Sequence, residues 1–127
     1  MKLLKDSKRA LLKPHLLSVE ELSIPEIDIL LNKANFYADA NKQRGKIEKT
    51  LKESTVITLF FETSTRTKTS FELAAKRLGA NSIGINASAS AIKKGETLID
   101  TAMTLNAMHA DILIVRHPDS GAVKLLS

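Results

Sequence analysis

Residues 55–81 read TVITLFFETSTRTKTSFELAAKRLGAN. The opening TVITLFFE is a β-branched and aromatic run, apolar on both faces, which suits a strand buried from two sides in a parallel sheet. Every residue from 63 to 70 is then a Ser, Thr, Arg or Lys. An amphipathic run follows at once. Phe71, Ala74, Ala75 and Leu78 are spaced i, i+3, i+4 and i+7, which predicts one apolar helix face, and Gly79 supplies a C-terminal stop. A buried strand therefore passes into a helix through a turn made of hydroxyls and two cations.

That turn has two readings. Helix capping asks for one hydroxyl and no arginine. Anion binding asks for more. The first turn of a helix carries unpaired N–H groups and a partial positive charge, which suit phosphate. Ser64, Thr65 and Thr67 add hydroxyl donors, and Arg66 offers a planar fork matched to phosphate oxygens. The supply of hydroxyls and cations exceeds what a cap needs, so the anion site is favoured.

Outward from this unit the same alternation continues. NSIGINA, 81–87, reads as a second strand, SASAIKKG, 88–95, as a loop, and ETLIDTAMTLNAMHA, 96–110, as a helix with Leu98, Ala102 and Leu105 on one side. DILIVRHP, 111–118, reads as a third strand ended by Pro118, and DSGAVKLLS as one or two further helical turns. Upstream, LSIPEIDILLNKANFYADANK is a helix with Ser23 as N-cap, Pro25 in the first turn and Glu26 completing a capping box. Its apolar face is Ile24, Ile27, Leu30, Leu31, Ala34 and Ala38. SVEE before it repeats the capping pattern around one short turn, and KQRGKIEKT is a polar connection. The fold class is α/β: a parallel sheet of three recognisable strands flanked by helices, joined by right-handed crossovers.

The 127 residues suffice for one domain that buries roughly two-thirds of its unfolded surface. Hydrophobic content of 43% and charged content of 26% fit a globular protein. There is no cysteine, which excludes disulfides, thiolate metal sites and cysteine nucleophiles and points to a reducing, cytoplasmic setting. No apolar run approaches the ~18 residues of a membrane span. The N-terminus MKLLKDSKRALLKPHLLS is broken by charges and reads as a solvated leader or short helix rather than a secretory signal. A net charge of +5 admits anionic partners, and with only 4% aromatic residues small anions rank above single-stranded nucleic acid.

In an open parallel sheet ligands bind beyond the carboxyl ends of the strands. Three polar groups fall there: Ser64, Thr65, Arg66 and Thr67 after the first strand, Ser90, Lys93 and Lys94 after the second, and Arg116 closing the third. Each of the latter two also has a plain reading, a solvated loop and an arginine paired with a carboxylate. His109 and His117 are acid–base candidates or structural imidazoles. Glu62 and Glu72 are ion-pair candidates for Arg66 or Lys68, and Asp100 has the same reading. No His–carboxylate pair has metal-ligand spacing. The phosphate-loop pattern G-x-x-x-x-G-K-[ST] and the dinucleotide pattern G-x-G-x-x-G are both absent.

STRTKTSFE resembles the S-T-R-T-R-x-S-F-E signature of the transcarbamoylase family. KKGETLIDT resembles the K-G-E-T-x-x-D-T segment of its aspartate-specific branch, and VRHP the end of that branch's third strand. The resemblance runs from about His15 to the end of the chain. It implies that Ser64, Thr65, Arg66, Thr67 and Arg116 hold carbamoyl phosphate. Ser90 and Lys94 would lie on a loop reaching into a neighbouring subunit's site, within a homotrimer with or without a regulatory chain. Arg66, Thr67, Lys94 and Arg116 would be catalytic in carbamoyl transfer to L-aspartate, a step of pyrimidine biosynthesis, with no metal or organic cofactor. Where the signature has its second arginine this chain has Lys68. The resemblance also implies that residues 1–127 are the carbamoyl-phosphate domain, shortened at its C-terminal end. A separate aspartate-binding domain and an H-P-T-Q segment would be absent, and this chain would be inactive alone. An inactive phosphate-binding or assembly fragment, an ornithine-specific relative and a basic nucleic-acid binder are the alternatives.

Overall fold

The structure, a computed structural model, describes residues 13–42, 49–87 and 97–127. Ser90, Lys93 and Lys94, most of the basic leader and most of the polar connection after α1 lie outside the described residues. The chain divides into two compact units, residues 1–47 and 48–127.

The first unit holds a 3-10 turn, Val19–Glu21, and helix α1, Ile24–Lys42. The Ser18 hydroxyl accepts from the Glu20 N–H at 3.2 Å, which caps the short turn as SVEE predicts. The Glu26 carboxylate reaches back to the Ser23 N–H at 2.9 Å and its hydroxyl at 2.7 Å, the return arm of a capping box. The apolar face expected on α1 is only partly covered. Ile27 and Leu30 are half-buried, but Ile24 is 77% exposed and Leu31 58%. One helix and one turn offer each other too little apolar surface to bury a whole face.

The second unit is built on three parallel strands, β1 Thr55–Phe60, β2 Asn81–Asn86 and β3 Ile112–Arg116, in the order β2-β1-β3. Helix α2, Thr65–Arg77, joins β1 to β2, α3, Leu98–Ala107, lies between β2 and β3, and α4, Ala122–Leu126, follows β3. The ladders run straight in register, Phe60 opposite both Asn86 and Arg116. β1 is therefore central, and Val56 to Phe60 are at most 2% exposed. Its alternate side chains serve two faces. Ile57 and Leu59 join Leu105 of α3 and Ala87 in the core, with Phe61, Ile85, Leu113 and Val115 packed around them. On the other face the Thr58 hydroxyl meets Glu72 of α2. The two helices thus cover β1 from opposite sides, and the doubly apolar pattern of TVITLFFE has its cause.

The face that α2 turns to the sheet differs from the expected one. Ala75 is buried and Leu78 half-buried, but Ala74 is exposed and Phe71 is 44% exposed. The inward stripe is Lys68, Glu72 and Ala75. Polar partners on β1 and β2 draw Lys68 and Glu72 inward in place of Phe71. Among the described residues no helix is long and apolar enough to cross a membrane.

Candidate functional site

The carboxyl ends of β1 and β3 and the first turn of α2 meet at one edge. The ladder carries on past the strands, with the Phe61 N–H donating to the Arg116 carbonyl at 2.9 Å and the Ala87 N–H to the Phe60 carbonyl at 3.0 Å. These bonds hold the segment leading to Ser64 against the ends of both neighbouring strands. Ser64 is the N-cap of α2 by position, at φ −149° and ψ 75°, yet its side chain makes no capping bond. Its hydroxyl accepts from an Arg116 terminal N–H at 3.0 Å instead. The first intrahelical bond runs from the Lys68 N–H to the Ser64 carbonyl. The N–H groups of Thr65, Arg66 and Thr67 therefore stand at the open end of the helix, without intrahelical acceptors. No acidic residue lies in this first turn to answer its positive pole.

Capping alone does not account for the hydroxyls, since the residue placed to cap points elsewhere. The Thr65, Arg66 and Thr67 side chains are exposed, and Arg66 has no carboxylate partner among the described residues. Arg116 does have one. Its Nε donates to Glu62 at 2.7 Å, so the arginine at the strand end pairs with a carboxylate as its plain reading has it, while also touching Ser64. Of the five N–H donors of a guanidinium, two are engaged here, and three remain for a ligand. Glu62 pairs with Arg116 rather than with Arg66 or Lys68, because β3 brings its last residue alongside the end of β1.

The remaining candidates separate cleanly. Lys68 lies 3.9 Å from Glu72 and donates to Asn86 at 2.6 Å, beside the site and under α2. Among the described residues Asp100 is a cap rather than an ion-pair partner. Its carboxylate accepts from the Thr97 N–H at 2.9 Å and hydroxyl at 2.6 Å, and these bonds hold its pKa below the usual carboxylate value. His109 ends α3 at the opposite edge of the sheet, before β3 begins, and takes no part in the cluster. His117 follows Arg116. Its Nδ1 accepts from the Asp119 N–H at 3.0 Å, and the ring lies 4.5 Å from that of Phe61. Sequence reasoning assigned no role to Asn86, which shares Lys68 with Glu72. A polar residue closing an otherwise apolar strand was the available signal. Among the described residues no group of His and carboxylates is arranged to hold a metal.

A pair of arginines, a run of hydroxyls and an uncapped helix N-terminus at the carboxyl edge of a parallel sheet can bind a compact, multiply charged oxyanion. A family model for the carbamoyl-phosphate-binding domain of aspartate and ornithine carbamoyltransferases matches residues 14–127. The aspartate carbamoyltransferase catalytic subunits of Rhodospirillum rubrum and Pelagibacter ubique are 55% and 56% identical over 113 residues, covering 89% of this chain and 35% and 36% of theirs. Among solved structures, aspartate transcarbamoylase from Trypanosoma cruzi in complex with carbamoyl phosphate and aspartate superposes with a TM-score of 0.77 at 34% identity, over 87% of this chain and 34% of that one. The catalytic subunit of M. jannaschii aspartate transcarbamoylase also gives 0.77, at 37% identity over 88% and 36%. This chain spans about a third of the length of the relatives it matches. The match over nearly all of its residues shows that the chain belongs to the aspartate/ornithine carbamoyltransferase family, as its carbamoyl-phosphate-binding domain.

Proposed function

We propose that this chain supplies the carbamoyl-phosphate half of an aspartate carbamoyltransferase. The observation that carries the reading is the meeting of Arg116 with Ser64 beside the open N-terminus of α2. Ser64, Thr65, Arg66, Thr67 and Arg116 bind the phosphate and carbamoyl oxygens. In the reaction the amine of L-aspartate attacks the carbamoyl carbon, a C–N bond forms, the C–O bond to phosphate breaks, and the amine gives up a proton. No covalent bond to the protein is required. The residues act by positioning and by stabilising charge on the carbamoyl oxygen and the departing phosphate. Arg66, Thr67 and Arg116 fill that role from this chain.

Ser90 and Lys94 complete the site from the adjacent copy in a cytoplasmic homotrimer, with or without a regulatory chain. Lys94 then offsets the crowded negative charge of two anionic substrates. The reading is supported by the order and spacing of the three motifs and by the excess of basic residues, and it serves pyrimidine synthesis. The aspartate-binding domain and the H-P-T-Q segment belong, on this reading, to sequence other than these 127 residues.

Titration of the chain with carbamoyl phosphate and with inorganic phosphate, followed by calorimetry or 31P NMR, tests the site. Saturable binding that Arg66→Ala weakens is the expected result. Binding to single-stranded nucleic acid with a steep salt dependence, and none to phosphate, would favour the basic-domain alternative and overturn this one.

A further inference from the structure

The seam between α2 and the sheet is polar where apolar periodicity calls for Phe71. Thr58, 0% exposed at the centre of β1, donates its hydroxyl to the Glu72 carboxylate at 3.1 Å. The Lys68 ammonium lies 3.9 Å from the same carboxylate and donates to the Asn86 side-chain carbonyl at 2.6 Å. Four side chains thus run in sequence from β1, across α2, to the last residue of β2. The sheet leaves room for them at one point. Gly84 sits opposite Thr58 in the ladder. A Cβ there would lie 2.8 Å from Cε of Lys68 and would collide with Oε1 of Glu72.

We propose that Lys68 is a positioning residue for the anion site: tied to Asn86 and Glu72, it fixes the rotation of α2 about its own axis and so aims Arg66 and the N–H groups of residues 65–67. The inference rests on reading that helix end as the phosphate site. Its logic is geometric. Apolar contact is non-directional, and of the inward stripe only Ala75 is apolar, so packing alone leaves the rotation of α2 loosely determined. Hydrogen bonds are directional. Lys68 also belongs to the first turn, its own N–H donating to the Ser64 carbonyl at 3.0 Å, so its side chain and the free N–H donors move as one piece. With its side chain only 18% exposed, the ammonium depends on these partners. Releasing it allows the turn to rotate, and a misplacement on the order of 1 Å is enough to lower a site's performance substantially.

The test uses the 127-residue chain with Lys68→Met, Asn86→Ala, the double variant and Lys68→Arg, with inorganic phosphate as the probe. Asn86→Ala carries the decision because it removes no charge. It is expected to weaken phosphate binding about tenfold. Lys68→Met should lose at least as much, the double variant little more than Lys68→Met alone, and Lys68→Arg should stay within about threefold of the parent. If Asn86→Ala binds phosphate as the parent does while Lys68→Met does not, Lys68 acts only through its charge and the proposal is overturned. A second readout needs no ligand. The backbone amides of Thr65, Arg66 and Thr67 should show altered 15N shifts and order parameters below the rigid value of about 0.85 in folded Asn86→Ala. Unchanged amides there overturn the positioning role. Failure of the parent to bind phosphate, with the amides altered as expected, overturns the site assignment instead and leaves the mechanical tie standing.

Discussion

Arg66 and Arg116 arrive at one edge in different electrostatic company. Arg116 is shared between Glu62 and Ser64, in a half-exposed pair of the kind worth about 0–1 kcal/mol. Arg66 has no such competitor among the described residues, so its fork is available to a ligand without first breaking a bond. Replacing Arg66 by Ala should therefore cost the chain a charge-assisted contact of about 1.5–3 kcal/mol, a ten- to hundredfold loss of carbamoyl phosphate affinity. Calorimetry reads this directly, and unchanged affinity would make Arg66 a solvated surface cation. Asp100 gives a pH-dependent counterpart. Thr97 donates from its hydroxyl and N–H to the carboxylate and lowers its pKa from the ordinary 3.8. A lowered folded-state pKa means that the cap contributes above the unfolded value and is lost as pH falls through the folded one. The start of α3 should be pH-independent above about pH 5, fray only in stronger acid, and lose that acid limb in Asp100→Asn, as followed by the Thr97 amide shift.

At the scale of the element, α2 and α3 end alike with different residues. After Arg77 and Leu78, Gly79 adopts φ +89°, the Ala80 N–H bonds the Ala75 carbonyl at 2.9 Å, and the Gly79 N–H bonds that of Lys76 at 3.0 Å, a Schellman end. After Ala107 and Met108, His109 takes the same left-handed position at φ +52°. Left-handed backbone costs an L-residue about 1–2 kcal/mol, and glycine adds about 0.4–1 kcal/mol of unfolded-state entropy. His109→Gly should thus raise stability by about 0.5–1 kcal/mol in urea titration, and a loss would mean that the imidazole makes a contact worth more than the strain. The Gly79 stop was legible in the sequence because glycine names its own conformation, whereas His109 stood as an acid–base candidate or a structural imidazole because nothing local marks a left-handed histidine. The inward face of α2 was misread for a related reason. Periodicity counts apolar side chains, and the partners that draw Glu72 and Lys68 inward, Thr58 and Asn86, lie on two different strands. Clearing the ends of two flexible side chains is cheap in itself, so Gly84→Ala should cost no more than the about 1–3 kcal/mol of a buried hydroxyl left without its partner. It should nevertheless push Glu72 off Thr58, visible as a shifted Thr58 hydroxyl or methyl resonance, and an undisturbed resonance would mean the notch is looser than its geometry implies.

For the whole molecule, the strands and their parallel sense were legible because each apolar run is short, is bounded by turn residues and alternates with helical spacing. The order β2-β1-β3 was not, since it depends on where a crossover lands. That order makes the site. With β1 central, the turn after it lies beside the end of β3, and Arg116 comes to Ser64 from 52 residues away. The motif at 64–67 and the arginine at 116 could be placed at one sheet edge from the sequence, but the direct contact between Arg116 and Ser64 follows from the strand order. Among the described residues Ser64, Thr65, Arg66, Thr67 and Arg116 gather at one sheet edge beside the open end of α2. Carbamoyl transfer needs a second site that holds the dicarboxylate of aspartate with its amine about 3–3.5 Å from the carbamoyl carbon. The chain by itself is accordingly expected to bind carbamoyl phosphate and inorganic phosphate competitively, and to form carbamoyl aspartate no faster than the two substrates do in buffer. A radiolabelled carbamoyl phosphate assay at saturating aspartate measures the difference. Turnover above the uncatalysed rate, abolished by Arg66→Ala, would mean that these residues hold both substrates and that the division of labour argued from the sheet edge is wrong.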